Sequence, residues 1–137
     1  MADATSKRGS VAGSPTGASM PAMAEVEAPP ASLVRIVVAR FARELRQRYG
    51  DAVRDVRLFG SFAQGRAHED SDVDVSVVLD HADFDTRRKV IDLATDVGLL
   101  AHDVLLSPTI FDRETYERWR AQERPLVKDI ERDGIPF

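Results

Sequence analysis

The sequence predicts an α/β (α+β) domain, a small mixed β-sheet flanked by helices. Three observations predict it. Apolar residues return every fourth position across 33–49, the period of a helix with one buried face. Residues 53–59 and 72–79 form two short valine-rich stretches, and the second alternates strictly. A second helical pattern separates these from a third extended stretch at 103–111, and two more helical patterns follow. The order helix, strand, strand, helix, strand, helix, helix is that of helices packed on a sheet.

Residues 1–30 are rich in Gly, Pro, Ser and Ala and contain no Leu, Ile or aromatic residue. Such a segment has nothing with which to build a core, so it is expected to be disordered, with the folded domain spanning 31–137. It does not read as a secretory signal, because Lys7-Arg8 is followed by a Gly/Ser-rich stretch rather than an apolar centre.

The first helix is expected to be capped by Ser32, to run to Tyr49 and to close at Gly50. Leu33, Val37, Phe41, Leu45 and Tyr49 share its apolar face, with Ile36 beside them. Its arginines, at 35, 40, 43, 46 and 48, read as a solvated face. A strand over 53–59 leads into Gly60-Ser61 and a short helix over 62–66. In the strand at 72–79, Val73, Val75, Val77 and Leu79 point one way and Asp72, Asp74 and Ser76 the other. A helix over 85–100 buries Val90, Leu93, Ala94, Val97 and Leu100. The third strand, 103–111, is expected to be interrupted or ended near Pro108. Asp112 caps the next helix. A last helix spans 125–133, with Leu126, Val127 and Ile130 inward and Gly134 as its C-cap. Tyr116, Trp119, Ile135 and Phe137 read as core rather than as a partner surface.

Composition narrows the function. The 137 residues carry a formal net charge of −4, so no basic surplus favours the phosphate backbone of a nucleic acid. Cysteine is absent, which removes disulfides and thiolate metal sites and is compatible with a reducing cytoplasm. No apolar run approaches the roughly 20 residues of a membrane span.

The chemistry is concentrated in 58–79. Gly60 permits a tight turn and close approach of the backbone to a ligand. Ser61 offers a hydroxyl, and the amides that follow can form an anion-binding concavity. Asp72 and Asp74, at i and i+2 of a strand, lie roughly 7 Å apart on one face. Such carboxylates repel unless a cation lies between them. Mg²⁺ takes few protein carboxylates and completes its octahedron with water and phosphate oxygens. Asp103, at the start of the next strand, is the natural third carboxylate, able to share a metal or act as general base toward a hydroxyl. Asp92 and Asp96 are its rivals, on a predicted helix. Arg66 is the cation nearest the turn in sequence, suited equally to phosphate or to the surface. His68, His81 and His102 fall in predicted loops, and His102 adjoins Asp103.

Gly60-Ser61, ten residues, then Asp72-x-Asp74 resembles the signature of the DNA polymerase β-type nucleotidyltransferase superfamily. Within it, the pattern Gly60, Ser61, Ala63, Gly65, Ser71, Asp72, Asp74 is similar to that of the minimal (MNT-type) nucleotidyltransferases. The resemblance covers about 50–111. It implies the nucleotidyltransferase fold and transfer of a nucleoside monophosphate from ATP or another triphosphate to a hydroxyl, with Mg²⁺ or alternatively Mn²⁺. It implies that Gly60, Ser61, Gly65 and Arg66 hold the nucleotide and that Asp72, Asp74 and Asp103 bind metal and catalyse. The chain departs from the pattern at Gln64, where many members carry Arg or Lys. Larger relatives add a second domain for the acceptor, and residues 31–137 leave no room for one. The resemblance therefore implies an acceptor on another chain, a HEPN-type toxin whose tyrosine is adenylylated by its antitoxin. Self-association is left open. Two other readings stand beside this one: a non-catalytic antitoxin with a relic nucleotide site, and a small-molecule modifier of the aminoglycoside type.

Overall fold

A computed structural model describes residues 28–67 and 72–137. The expectations for 1–27, for His68 and for Ser71 lie outside the described residues. Helix α1 spans Ala31–Tyr49. It enters from Pro30, which occupies the N-cap with extended ψ and no side-chain cap, and Val34 N–H donates to Pro30 O at 3.1 Å. Ser32 therefore lies inside the first turn rather than capping it. The helix buries Val34, Val37, Val38, Phe41, Ala42 and Leu45. Ile36 is 62% exposed, because the buried stripe includes 34 and 38 and so is centred away from it.

Strand β1 (Val53–Phe59) is followed by the one-turn helix α2 (Ser61–Gln64), then by β2 (Val73–Leu79). Helix α3 (Phe84–Ala94) continues into a π-helical turn, Thr95–Leu100. The wider turn moves Leu100 off the buried face, leaving it 72% exposed, while Val90, Leu93, Ala94 and Val97 are buried as expected.

Strand β3 is Leu106–Asp112, three residues later than expected. Asp103 has φ +57°, which no strand accommodates, and its N–H donates back to Leu99 O at 3.0 Å. Pro108 lies within β3 instead of ending it. This is permitted because β3 is an edge strand and leaves one side of its backbone unpaired. Helices α4 (Arg113–Ala121) and α5 (Pro125–Asp133) follow, and the chain closes with β4 (Ile135–Pro136), a strand the sequence did not announce.

The sheet order is β3-β2-β1-β4. β1 pairs antiparallel with β2 and β4, and β2 pairs parallel with β3 across the α3 crossover. One face carries Val73, Val75, Val77 and Leu79 against α1 and α3. The other carries Phe59, Val78 and Phe111 against Tyr116, Val127 and Ile130, with Trp119 and Leu126 at its margin. Phe111 meets Tyr116 and Trp119 edge-on, at 5.2 and 5.6 Å between ring centres. Ile135 and Phe137 pack against the α1 side. The four residues expected in the core therefore serve two separate cores. Among the described residues no helix is long and apolar enough to cross a membrane.

Candidate active site

The site is assembled where β1 ends and β2 begins. β1 runs out at Phe59, whose register partner on β2 is Asp74. The antiparallel pairing thus fixes the turn after Phe59 beside the Asp72–Asp74 segment. Gly60 has φ +77° and ψ −154°, a region closed to side chains. A Cβ added to Gly60 would overlap Asp74 Oδ2 and lie 3.2 Å from its Cγ. Glycine is required here twice over, by the backbone angle and by the carboxylate packed against it.

The turn that follows is closed by its own backbone. Gln64 N–H donates to Gly60 O at 3.1 Å and Arg66 N–H to Ser61 O at 2.8 Å. Gly65 ends α2 in the left-handed conformation, φ +72°, with open space where a Cβ would stand. Ser61 is half-buried and Arg66 exposed. The Arg66 guanidinium donates to Gln64 Oε1, and Gln64 Nε2 donates to Asp133 Oδ2 at 3.0 Å. Asp133 ends α5, and its carboxyl is held below the usual range, first by the hydrogen bond from Arg132 and then by that from Gln64.

Asp72 is exposed and Asp74 half-buried. Burial raises the Asp74 carboxyl above its ordinary value, and the Asp72 charge raises it further. Among the described residues no arginine or lysine offsets that rise. The strand neighbour of Asp74 on β3 is Ser107, also half-buried. Ser76, next on the same face of β2, is fully buried and its Oγ finds no partner.

The structure brings Gly60, Ser61, Gly65, Arg66, Asp72 and Asp74 into one region. Asp103 is exposed in the left-handed turn before β3, two residues ahead of Leu105, whose carbonyl accepts from Val73 N–H at 3.0 Å. Among the described residues no three His, Asp or Glu side chains converge closely enough to hold a metal. Asp92 and Asp96 are exposed on α3 and its π-helical extension, and His81 and His102 are exposed in the chain segments around them. Sequence reasoning missed Asp133 and Ser107. Both reach the site through strand register, which no local spacing reveals.

A carboxylate pair beside a glycine turn can bind a cation and, through it, a polyphosphate. The donor set fits Mg²⁺: one carboxylate just before β2 and one on it, mutually repelling, with no arginine or lysine among the described residues compensating Asp74.

The chain is similar in sequence to known proteins. A Methanocaldococcus jannaschii protein, provisionally named a protein adenylyltransferase, is 33% identical over 81 residues, which cover 59% of this chain and 76% of that protein. The protein adenylyltransferase MntA of Thermococcus cleftensis is 38% identical over 60 residues, covering 44% of this chain and 57% of that protein. A crystal structure of a toxin–antitoxin with AMP-PNP aligns with TM-score 0.49 and 22% identity, over 71% of this chain and 69% of that one. The family model described as the nucleotidyltransferase domain matches residues 38–133, and the chain belongs to that family.

Proposed function

We propose that this chain transfers an adenylyl group from ATP, with Mg²⁺, to a hydroxyl of a partner protein, and that the partner is a HEPN-type toxin for which this chain is the antitoxin. The observation that carries the transfer reading is the packing of Gly60 against Asp74, which couples a ligand-accommodating turn to a carboxylate pair. The protein acceptor is supported by the two relatives named as protein adenylyltransferases. The toxin rests on the resemblance to minimal nucleotidyltransferases. A cysteine-free chain suits work in a reducing cytoplasm.

Each residue has a role. Gly60 lets the triphosphate approach the backbone, and Ser61 offers it a hydroxyl. Gly65 closes the turn, and Arg66 adds a cation at its exposed end. Asp72 and Asp74 would hold the metal, which when bound supplies positive charge against the triphosphate oxygens. The half-burial of Asp74 strengthens its attraction for that charge by lowering the local dielectric.

The test is intact-mass spectrometry of whatever protein co-purifies, after incubation with Mg²⁺ and each nucleoside triphosphate. Wild type is run beside Asp72→Ala and Asp74→Ala. A partner that gains the mass of a nucleoside monophosphate with wild type alone supports the proposal. A partner that binds tightly yet never changes mass would leave a contact antitoxin instead.

A further inference from the structure

Asp133 and Gln64 are 69 positions apart, yet joined by a part-buried hydrogen bond of 3.0 Å. Both are anchored to the same strand. Gln64 lies on the turn that leaves the end of β1. Asp133 is followed at once by Gly134 and β4, and Ile135 pairs with Leu58 of β1. Phe137 N–H adds a bond to Val56 O at 2.9 Å. The junction is tight: a Cβ on Gly134 would overlap the Ile130 carbonyl oxygen and approach Arg57 Cδ at 3.0 Å. The Asp133 carboxylate is therefore held against the sheet edge, and it reaches α2 from outside the turn.

The chain of bonds continues to Arg66. The amide of Gln64 has two ends, and both are used: Nε2 donates to Asp133 while Oε1 accepts from Arg66. With the donor side fixed on a carboxylate, the acceptor side is fixed toward the guanidinium. We propose that Asp133 is a positioning residue for the nucleotide: through Gln64 it orients the Gly60–Ser61 turn and the Arg66 guanidinium toward the triphosphate. This rests on the reading that the turn binds a triphosphate. It also accounts for Gln64, a side chain without charge, in a turn meant for phosphate.

The test is titration of ATP·Mg²⁺ into wild type, Asp133→Ala, Arg66→Ala and the double variant, with melting temperatures recorded for each. Asp133→Ala and Arg66→Ala should each weaken binding roughly tenfold, the scale of one charge-assisted hydrogen bond. The double variant should be weaker than either single by less than about threefold, because both break one relay. Asp133→Asn, which still accepts from Gln64, should bind within about twofold of wild type. In transfer assays the loss should appear in KM for ATP, with kcat little changed. If Asp133→Ala melts too low to assay, Gln64→Ala takes its place with the same expectation. Wild-type affinity in Asp133→Ala, or losses that multiply in the double variant, would overturn the inference alone. A wild type that binds no triphosphate would overturn the nucleotide reading, and this inference with it.

Discussion

Gly60 and Asp74 are packed so closely across the β1–β2 pair that a single methyl group on Gly60 would displace the Asp74 carboxylate. The turn and the acid are thus one unit. Gly65, five residues on, is the natural control, since it also has positive φ but faces open space. Gly60→Ala should abolish nucleotidyl transfer and destabilise the fold by about 1–3 kcal/mol, the cost of forcing a side chain into its backbone region. Gly65→Ala should cost about 1–2 kcal/mol as a left-handed residue and keep most of the activity. Thermal melts and transfer assays on both variants separate steric displacement of Asp74 from simple backbone strain. Equal loss of activity in the two would mean that the contact does not matter.

Asp74 faces the charge of Asp72, and among the described residues no arginine or lysine relieves it. Removing one charge should not harm the metal-free fold. Asp74→Asn is expected to melt at or above the wild-type temperature without Mg²⁺, because burial and Asp72 both penalise the ionised carboxyl. Added ATP·Mg²⁺ should raise the stability of wild type by about 2.7 kcal/mol at a hundredfold excess over Kd. Chelation by EDTA should cancel that gain. Neither Asp72→Asn nor Asp74→Asn should show it. Equal stabilisation of variant and wild type would remove these residues from the metal site.

Ser76 lies one step further along the same strand face, fully buried with its Oγ unpaired. A buried hydroxyl without a partner loses its hydration and gains nothing. Ser76→Ala should therefore be neutral or stabilising by up to about 1 kcal/mol. A clear fall in melting temperature would indicate that the hydroxyl is satisfied in solution, by water or by a shifted neighbour.

The Asp112 carboxylate receives the Thr115 N–H at 2.7 Å and lies 3.7 Å from Arg87. The backbone bond from Thr115, chiefly, holds its carboxyl below the ordinary value. A depressed folded pKa gives stability that is present above the unfolded value, about 3.9, and is lost as pH falls through the folded one. Asp112→Ala should lower the melting temperature by about 4–8 °C at pH 7, the effect of losing a cap worth about 1 kcal/mol. The gap should narrow below pH 4. Asp112→Asn keeps the cap and should show a smaller loss with little pH dependence. A gap that stays constant down to pH 2 would assign the effect to packing instead.

What was legible in the chain was local. Gly60, Asp72 and Asp74 announce themselves because turn chemistry and strand alternation act over a few residues. The capping role of Asp112 is local too, and it was read correctly. What escaped depends on register or on backbone detail. β4 is two residues long and exists because β1 offers it an edge. Asp133 reaches Gln64 for that reason. The π-helical turn at 95–100 changes which leucines are buried without any change in apolar spacing. Ile36 was misplaced for a similar reason: at spacings of three and four, stripes one residue apart look alike until the partner surface is known.

Asp103 tests how the site is completed. Spacing assigns it as the third carboxylate, beginning a strand beside β2. In the structure it precedes β3 by three residues, has φ +57° and is exposed. Its backbone is tied to the π-helical turn, by its own N–H to Leu99 O and by Val104 N–H to Gly98 O at 3.2 Å. Gly98 cannot accept a Cβ without meeting Val104 O, so this turn is packed against the chain that follows it. That packing holds Asp103 in an exposed turn, where among the described residues it does not complete a three-ligand group with Asp72 and Asp74. Asp103→Asn is therefore expected to retain transfer to within roughly tenfold, or about 1.4 kcal/mol of transition-state energy. Its melting temperature should hardly move, as for other exposed substitutions. Asp103→Gly should be stabilising where the left-handed angle costs a side chain about 1 kcal/mol. A loss of several hundredfold in kcat for Asp103→Asn, with KM for ATP unchanged, would instead mean that the turn at 98–104 rearranges when substrates bind and delivers the carboxylate to the acceptor hydroxyl.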